Sequence, residues 1–584
     1  MPEPATMCAA FQRTAASQSH RTAVRSSDGR ISLRWSDYAD EVRRIAGGLA
    51  ALGVSRGDSV ALMLTNRPEF FVADLAAMHL GATVFSIYNT SSVEQIRYLL
   101  DHADPAAVIC EQRFAEVIRA AGGTERVLCV EDGDLDGLRP AVGFDFESTW
   151  RAVDPDDVLF LIYTSGTTGP PKGVEMTHRG MLALAGAIAT EFEFRPGDRA
   201  LSYLPAAHVA ERAATYYPHV MHGTEITTVA DMTTVSTVLT DVRPDVWGGV
   251  PRIWEKAKDG VEAKLAASPL PARLAARWAI GVGRAVARHQ VTGQQVPFAL
   301  AAWRAVADRL VLSRVRRAMG MDRVRWAVTG SATTPNEVFE FMRGIGIPLT
   351  DVWGMSEIGM VTAAAGDAAR PGTVGRPLPG AEVRIMADGE IHVRCPWMMR
   401  GYRNDPERTA ETVDADGWLH TGDLFTQDAD GYLRIIGRKK ELIINAGGKN
   451  MSPNTIQQAI SAEAPLIGWV VAAGDGRPYN VALIVLDPEE SATFAETHGL
   501  SPDPGALAKD PRVIDIVRAA VEAGNAKLSR VEQIKRYAVL PTYWEPGRDE
   551  VTLTMKLRRK DILERYADRI DELYRTRERE RPRR

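Results

Sequence analysis

Across the first 150 residues the hydrophobic pattern alternates between helical and strand-like spacing. Between Ser36 and Gly53, apolar residues recur at helical intervals and the run stops on glycine, which predicts a helix. Ser59-Val-Ala-Leu-Met-Leu64 and Ala106-Ala-Val-Ile-Cys110 are short runs, apolar apart from Ser59, and read as buried strands between helices. Such alternation predicts a sheet layered with helices, an α/β fold. From about Glu382 the pattern changes to short strands with tight turns. Asp388-Gly389 and Asp430-Gly431 lie inside β-rich runs and read as hairpins. Beyond these, Gly468–Ala473 and Val481–Leu486 are strands among helical segments, the pattern of a small α+β domain. The end, Arg575 to Arg584, alternates Arg and Glu and is expected to be a frayed helix or solvated tail.

One helical stretch stands apart by charge. Residues 271–320 hold nine arginines (273, 277, 284, 288, 304, 309, 314, 316 and 317) against one acid, Asp308. Positions 273, 277, 284 and 288 fall near one face of a helix. A solvated face is the plain reading; a docking surface for anionic lipid, CoA phosphates or a partner is the other.

A chain of 584 residues is too long for one core, so two or more domains are expected. The net charge of −5 gives no general reason to expect nucleic acid. Cys8, Cys110, Cys129 and Cys395 are scattered with no CxxC pair, which argues against a zinc site or disulfide framework and fits a reducing compartment. The start, Met1-Pro-Glu-Pro-Ala-Thr, lacks the pattern of a signal peptide, and no uncharged apolar run reaches the ~18 residues of a spanning helix. A cytoplasmic protein with at most peripheral membrane contact is expected.

The sharpest chemistry is in Leu161-Ile-Tyr-Thr-Ser-Gly-Thr-Thr-Gly-Pro-Pro-Lys-Gly-Val174. An apolar strand runs into Thr164, Ser165, Gly166, Thr167, Thr168 and Gly169, and Lys172 follows. Such a loop can turn backbone N–H groups and hydroxyls toward one point while a lysine adds positive charge, as a polyphosphate requires. The glycines and lysine do not have the GxxxxGK[ST] spacing of a P-loop, which excludes a P-loop ATPase or kinase.

This string closely resembles the signature loop of the adenylate-forming (ANL) superfamily, which includes acyl-CoA synthetases, peptide-synthetase adenylation domains and luciferases. Further motifs of that superfamily follow in order over nearly the whole chain. Ser202-Tyr-Leu-Pro-Ala-Ala-His-Val-Ala-Glu-Arg212 resembles the segment whose histidine, here His208, lies beside the substrate carboxylate. Thr329-Gly-Ser-Ala332 and Asp351-Val-Trp-Gly-Met-Ser-Glu357 resemble the nucleotide-pocket pair, implying nucleotide contacts for Gly330, Ser331, Ala332, Asp351, Trp353, Gly354 and Ser356. Trp353 offers a flat face for adenine and Asp351 an acceptor for its amino group, while Glu357 is a hard carboxylate suited to Mg²⁺. Trp353 and Ser356 stand where the family often has Tyr and Thr, and both keep the needed chemistry.

Trp418-Leu-His-Thr-Gly-Asp423 resembles the ribose motif, where a carboxylate accepts from a cis-diol. Gly437-Arg-Lys-Lys-Glu-Leu-Ile443 resembles the junction of the large and small domains, with Arg438 implied at ribose or phosphate and Lys440 at the hinge. Lys556, in Glu550-Val-Thr-Leu-Thr-Met-Lys-Leu-Arg-Arg-Lys560, matches the lysine that reaches the site during acid activation. Its neighbours, with Val250-Pro-Arg-Ile-Trp-Glu-Lys256 and Gly447-Gly-Lys-Asn450, are similar to the long-chain fatty-acid branch. Two positions depart from that branch. Leu553 stands where proline is common, and Arg212 stands near a place where some bacterial long-chain enzymes have a tryptophan gate.

The resemblance implies a large layered α/β domain with a β-barrel-like subdomain over 1–437, and a small mobile α+β domain over 438–584. It implies ATP-dependent conversion of a carboxylic acid, a long-chain fatty acid by the branch motifs, to acyl-AMP and then to acyl-CoA. ATP, Mg²⁺ on Thr167 and Glu357, and coenzyme A as substrate are the implied cofactors; Lys556, Glu357, Thr167 and His208 are the implied catalytic residues. The rival within the superfamily is an acyl-AMP ligase that loads the phosphopantetheine thiol of an acyl carrier protein.

Overall fold

A computed structural model describes residues 3–164, 170–291, 294–332, 334–447, 449–545, 547–552 and 556–575. The chain forms two compact units: Met1–Arg384 with His392–His420, and Ile385–Ile391 with Thr421–Arg584.

The first unit is built on a seven-stranded sheet in the order Gly401–Tyr402, Lys172–Thr177, Val158–Thr164, Thr83–Ser86, Ser59–Met63, Pro105–Cys110, Val127–Cys129. From Val158–Thr164 onward the neighbours run parallel; the two strands at the other edge are antiparallel. Helices pack against the sheet, so its central strands are buried and mostly apolar, as in Ser59–Met63, buried throughout and apolar from Val60 on. The expected helix is Trp35–Ala51, and the expected strands are Ser59–Met63 and Pro105–Cys110.

A second, parallel sheet joins Val246–Gly249, Trp326–Thr329 and Leu349–Asp351. Its register sets Thr329 beside Asp351 at the carboxyl ends of their strands, the end of an open α/β sheet where ligands bind. Between its first two strands lies the arginine-rich stretch. It forms helices Leu270–Val291 and Phe298–Ala307, a π-helical turn Asp308–Leu312 and helix Ser313–Ala318.

In the second unit, residues 421–427 pair antiparallel with Leu433–Arg438. The DG turn between them closes because Asp428 Oδ1 accepts from the Asp430 and Tyr432 amides (3.0 and 2.9 Å) and Gly431 takes a φ of +84°. Beyond it, Ile467–Ala473, Asn480–Leu486 and Ile534–Val539 form a three-stranded sheet with antiparallel and parallel pairings. Alternate residues of the central strand serve two cores. Ala482, Ile484 and Leu486 pack with Ile456 and Val517 of helices Pro453–Ser461 and Pro511–Ala526. Val481, Leu483 and Val485 pack with Ile562 and Ile570 of helices Arg559–Arg565 and Ala567–Arg575. Coverage of both faces explains the uninterrupted apolar run seen in the sequence. The Arg/Glu tail from 576 lies outside the described residues.

Candidate active site

Strand Val158–Thr164 delivers the hydroxyl- and glycine-rich segment, and Thr164 is the register partner of Lys172 on the returning strand. The two ends of the loop are therefore held side by side. Ser165, Gly166, Thr167, Thr168 and Gly169 lie outside the described residues. After the return strand, Thr177 Oγ1 accepts from the Gly180 amide (3.1 Å) and caps helix His178–Glu191.

Lys172 Nζ stands 4.7 Å from the centre of the Tyr402 ring. The Tyr402 hydroxyl donates to Glu357 Oε1 at 2.8 Å. Burial first, then the Glu357 charge, holds the phenol well above its ordinary pKa, so it remains a donor. Tyr402 thus ties the lysine beside the loop to the carboxylate expected to hold Mg²⁺, although 230 residues separate Lys172 from Tyr402. The tie is braced by backbone: Met399 N–H donates to Glu357 O (2.7 Å) and Arg400 N–H to Glu175 O (2.8 Å). Glu357 is 8% exposed, in the turn after strand Trp353–Met355. Tyr402 was not among the residues expected from sequence. Its local context, Arg400-Gly-Tyr402, gives no sign of a partner so distant.

Upstream of that turn, Val352 N–H donates to Thr329 O (2.9 Å), joining the two motifs expected to form a nucleotide pocket. Ser331 holds a left-handed φ of +71°, and Thr329 Oγ1 and Thr334 Oγ1 share a hydrogen bond of 2.9 Å. Asp351 is buried, and burial pushes its carboxyl up to about 8 against the opposing pulls of Thr334 and the Val352 amide. Trp353 is buried, while Gly354 is exposed and Ser356 partly so. At Gly354 a Cβ would stand 1.9 Å from the Gly359 carbonyl oxygen on the neighbouring strand, so only glycine fits. Gly330 is close against Val352, whose backbone and side chain would lie 3.1 Å from a Cβ. Ala332 follows at the edge of the described segment.

His208 caps the short helix Val209–Glu211: its Nδ1 accepts the Ala210 amide at 3.0 Å, which leaves the proton of the neutral ring on Nε2. Behind it lies a buried ionic knot. Arg212 is 0% exposed; its Nη2 pairs with Asp74 Oδ2 (2.8 Å) and meets Ser86 Oγ (3.2 Å), Nη1 donates to Tyr217 (3.1 Å), and Nε donates to the Ala206 carbonyl (3.1 Å). Tyr216 donates to the other Asp74 oxygen (3.0 Å). The Ala206 bond braces the loop that carries His208. Neighbouring Glu211 is buried too, and burial pushes it up to about 8 against Ser202, the Leu204 amide and Arg212.

In the second unit, Asp423 is buried and its Oδ1 lies 3.0 Å from Nε of Arg438, its register partner. Lys440 is exposed in the short 3₁₀ turn Lys439–Glu441. Lys556 is exposed. Its amide donates to Thr552 Oγ1 (2.9 Å), its carbonyl accepts the Thr552 amide (2.8 Å), and the Val551–Leu557 bridge flanks it. Leu553 lies outside the described residues. The structure therefore brings Lys172 together with Glu357, Thr329 with Asp351, and Asp423 with Arg438.

Residues 11–403 match the family model described as AMP-binding enzyme, and residues 440–578 match that of the AMP-binding enzyme C-terminal domain. The Mycobacterium tuberculosis protein fadD11, assigned by its name to the fatty-acid–CoA ligases, is 52% identical over 433 residues, 74% of this chain and 76% of that one. The long-chain-fatty-acid–CoA ligase FadD15 of Mycobacterium bovis is 34% identical over 579 residues, 92% of each chain. Among solved structures, a Mycobacterium tuberculosis fatty acyl CoA synthetase superposes with a TM-score of 0.62 at 22% identity, over 97% of this chain and 99% of that one. An o-succinylbenzoate CoA synthetase from Bacillus subtilis, in complex with its acyl-adenylate intermediate, superposes at 0.70 and 19% identity, over 95% and 97%.

Proposed function

Because the chain belongs to the AMP-binding enzyme family and has its fold, a large α/β domain followed by a smaller one, we propose that it is an ATP-dependent fatty-acid–CoA ligase. The acid's carboxylate attacks the α-phosphorus of ATP, pyrophosphate leaves, and the thiol of coenzyme A then displaces AMP from the acyl-adenylate. The observation that carries this reading is the Lys172–Tyr402–Glu357 chain at the root of the hydroxyl-rich loop. It supports the reading because it links a cation to a carboxylate, the two kinds of group that a polyphosphate with a divalent ion requires.

The first half-reaction brings two anions together, so its barrier is largely electrostatic. Lys172 and the amides of 165–169 are assigned to the phosphates, His208 to the acid's carboxylate, and Lys556 to the charge developing at the α-phosphate. Gly330, Ser331, Ala332, Asp351, Trp353, Gly354 and Ser356 are assigned to the base; Asp423 and Arg438 to the ribose and phosphate. Glu357 suits Mg²⁺, a hard ion that takes one or two carboxylates plus phosphate oxygens, because Tyr402 occupies a single lone pair of one of its oxygens. Glu357 and Thr167 would hold the ion, which supplies charge neutralisation of the phosphates. The small domain is taken to begin at 438 and to turn about Lys440.

Pyrophosphate release measured with acids of graded length, with and without coenzyme A, tests the reading. Each buried CH₂ contributes about 0.8 kcal/mol, so kcat/KM should climb with chain length until the space for the acyl chain is full. A flat profile would remove the fatty-acid assignment. Thioester formed on a carrier protein but not on free coenzyme A would move the second half-reaction to a carrier. Lys440→Pro should leave single-turnover pyrophosphate release intact and abolish thioester formation; equal loss in both would remove the hinge.

A further inference from the structure

Lys556 is exposed on a short hairpin, and what holds it in place lies at the hairpin's base. Three backbone links join the two arms: Arg558 N–H donates to Glu550 O (2.8 Å), Val551 bridges Leu557, and Thr552 N–H donates to Lys556 O (2.8 Å). Lys556 N–H closes the last of these by donating to Thr552 Oγ1 (2.9 Å). A two-stranded hairpin is at best marginally stable in water, so this one depends on what its base is fixed to. Val551 supplies one fixing: it is fully buried, in the core that holds Ile562 of helix Arg559–Arg565.

Glu550 supplies the other. It is buried, and its Oε1 accepts from the Tyr566 hydroxyl (3.1 Å) and pairs with Arg565 Nη1 (3.0 Å). Arg565 is the last residue of that helix and Tyr566 follows it. The buried Trp544 donates from its indole nitrogen to the Tyr566 oxygen (3.2 Å), so the phenol is fixed from both sides. Arg565 Nη1 also reaches Asp549 Oδ2 (2.7 Å). The helix in turn is tied to the three-stranded sheet, where Arg559 Nη2 donates to Ala472 O (2.5 Å). The arm that leads to Lys556 is thus joined through the Glu550 carboxylate to a helix that is itself joined to the sheet. A hairpin that only had to cover Ile562 could carry an apolar residue at 550 and avoid the cost of burying a charge. A carboxylate with two aimed donors fixes direction as well as contact.

We propose that Glu550, held by Tyr566 and Arg565, is a positioning residue for Lys556: it fixes the direction of the hairpin from which that lysine acts. The role rests on the assignment of Lys556 to acid activation made above; the anchoring of the hairpin does not. A charged donor stabilises developing charge only where it is already aimed, and a displacement of about 1 Å can cost about a hundredfold in rate. The second half-reaction, in which Lys556 has no assigned part, should not need Glu550.

Single-turnover assays of the full chain test it in two backgrounds. Glu550→Ala should lower acyl-AMP formation by about ten- to a hundredfold and spare thioester formation from preformed acyl-AMP. In Lys556→Ala the same change should cost nothing further, because a lysine that is absent cannot be misaimed. Glu550→Gln keeps an oxygen to accept from Tyr566 and should recover most of the loss; Tyr566→Phe, which removes one hydroxyl and keeps the ring, should fall between. Hydrogen exchange reads the anchor without substrate. Glu550→Ala should speed exchange at the Thr552, Lys556 and Arg558 amides by about tenfold or more, while the amides of Ile467–Ala473 keep the parent's rates and show that the fold is intact. Equal loss in both half-reactions, a loss that adds to that of Lys556→Ala, or unchanged exchange at the three hairpin amides overturns the proposal. A parent chain that forms no acyl-AMP from any acid would overturn the ligase reading and this role together; loss of the role alone would leave the parent active.

Discussion

Two groups of arginines lie in the first unit under opposite conditions. Arg212 is sealed from water with each of its nitrogens bonded, to Asp74, Ser86, Tyr217 and the Ala206 carbonyl. Arg277, Arg309 and Arg314 stand in solvent with no salt-bridge partner among the described residues. Desolvating a charge costs several kcal/mol unless pairing and hydrogen bonds offset it, so a buried arginine persists only where its whole shell is built. An exposed one costs the fold almost nothing and remains available to something outside the chain. The difference teaches that arginine content reports neither stability nor binding until its partners are known.

The largest expected effect tests the buried side. Arg212→Ala leaves Asp74 charged and buried, and should lower stability by about 3–5 kcal/mol in chemical denaturation. Arg212→Met with Asp74→Leu should recover most of that loss, because both charges leave together. If the single variant melts like the parent, the knot is not structural and the contrast collapses.

Lys556→Ala sharpens the exposed side. Removing one charged donor from developing charge lowers kcat by about 10²–10³, so acyl-AMP formation should fall by that factor while the melting temperature stays put. Thioester formation from preformed acyl-AMP should be spared. Equal loss in both half-reactions would make Lys556 structural.

Glu211, next to the knot, gives a pH signature. Folding raises its carboxyl from the ordinary range to about 8, so from about pH 5 to pH 8 the folded state keeps a proton that the unfolded state has released. Stability contributed by Glu211 is full below that window and is lost as pH rises through it. Glu211→Gln should therefore flatten the decline in melting temperature between about pH 6 and pH 8, leaving the part due to Asp351, which shifts the same way. An unchanged slope would mean that Glu211 is ionised in the fold.

The smallest effect is the control. Arg277→Ala, Arg309→Ala and Arg314→Ala should each change stability by less than about 0.5 kcal/mol in the same denaturation assay, as surface substitutions do. A loss approaching that of Arg212→Ala would place them in structural work.

Much of the fold was legible because burial on both faces leaves unbroken apolar runs, as at Val60–Met63 and Val481–Leu486. The loop after Thr164 and the strings at 329–332 and 351–357 drew attention as candidates because their residue chemistry is local. What escaped was non-local. Tyr402 lies far along the chain from both Lys172 and Glu357, and only the antiparallel register of Gly401–Tyr402 against Lys172–Thr177 brings it under the lysine. The arginine-rich stretch looked uniform because three of its neutralising acids, Glu262, Glu340 and Asp322, lie outside it in sequence. Arg212 read as a departure from a family position; its burial depends on Asp74, 138 residues away.

The bare backbone of Gly354 limits how this protein can change. The atoms that a methyl group would strike, Gly359 O and C and Met360 Cα at 1.9, 2.7 and 2.9 Å, are all main chain, so no rotamer change can make room. Saturation mutagenesis at 354 should return glycine alone among functional clones. A lineage that altered this strand pair would have to do so around this position, and a mutant library is better spent on either side of it.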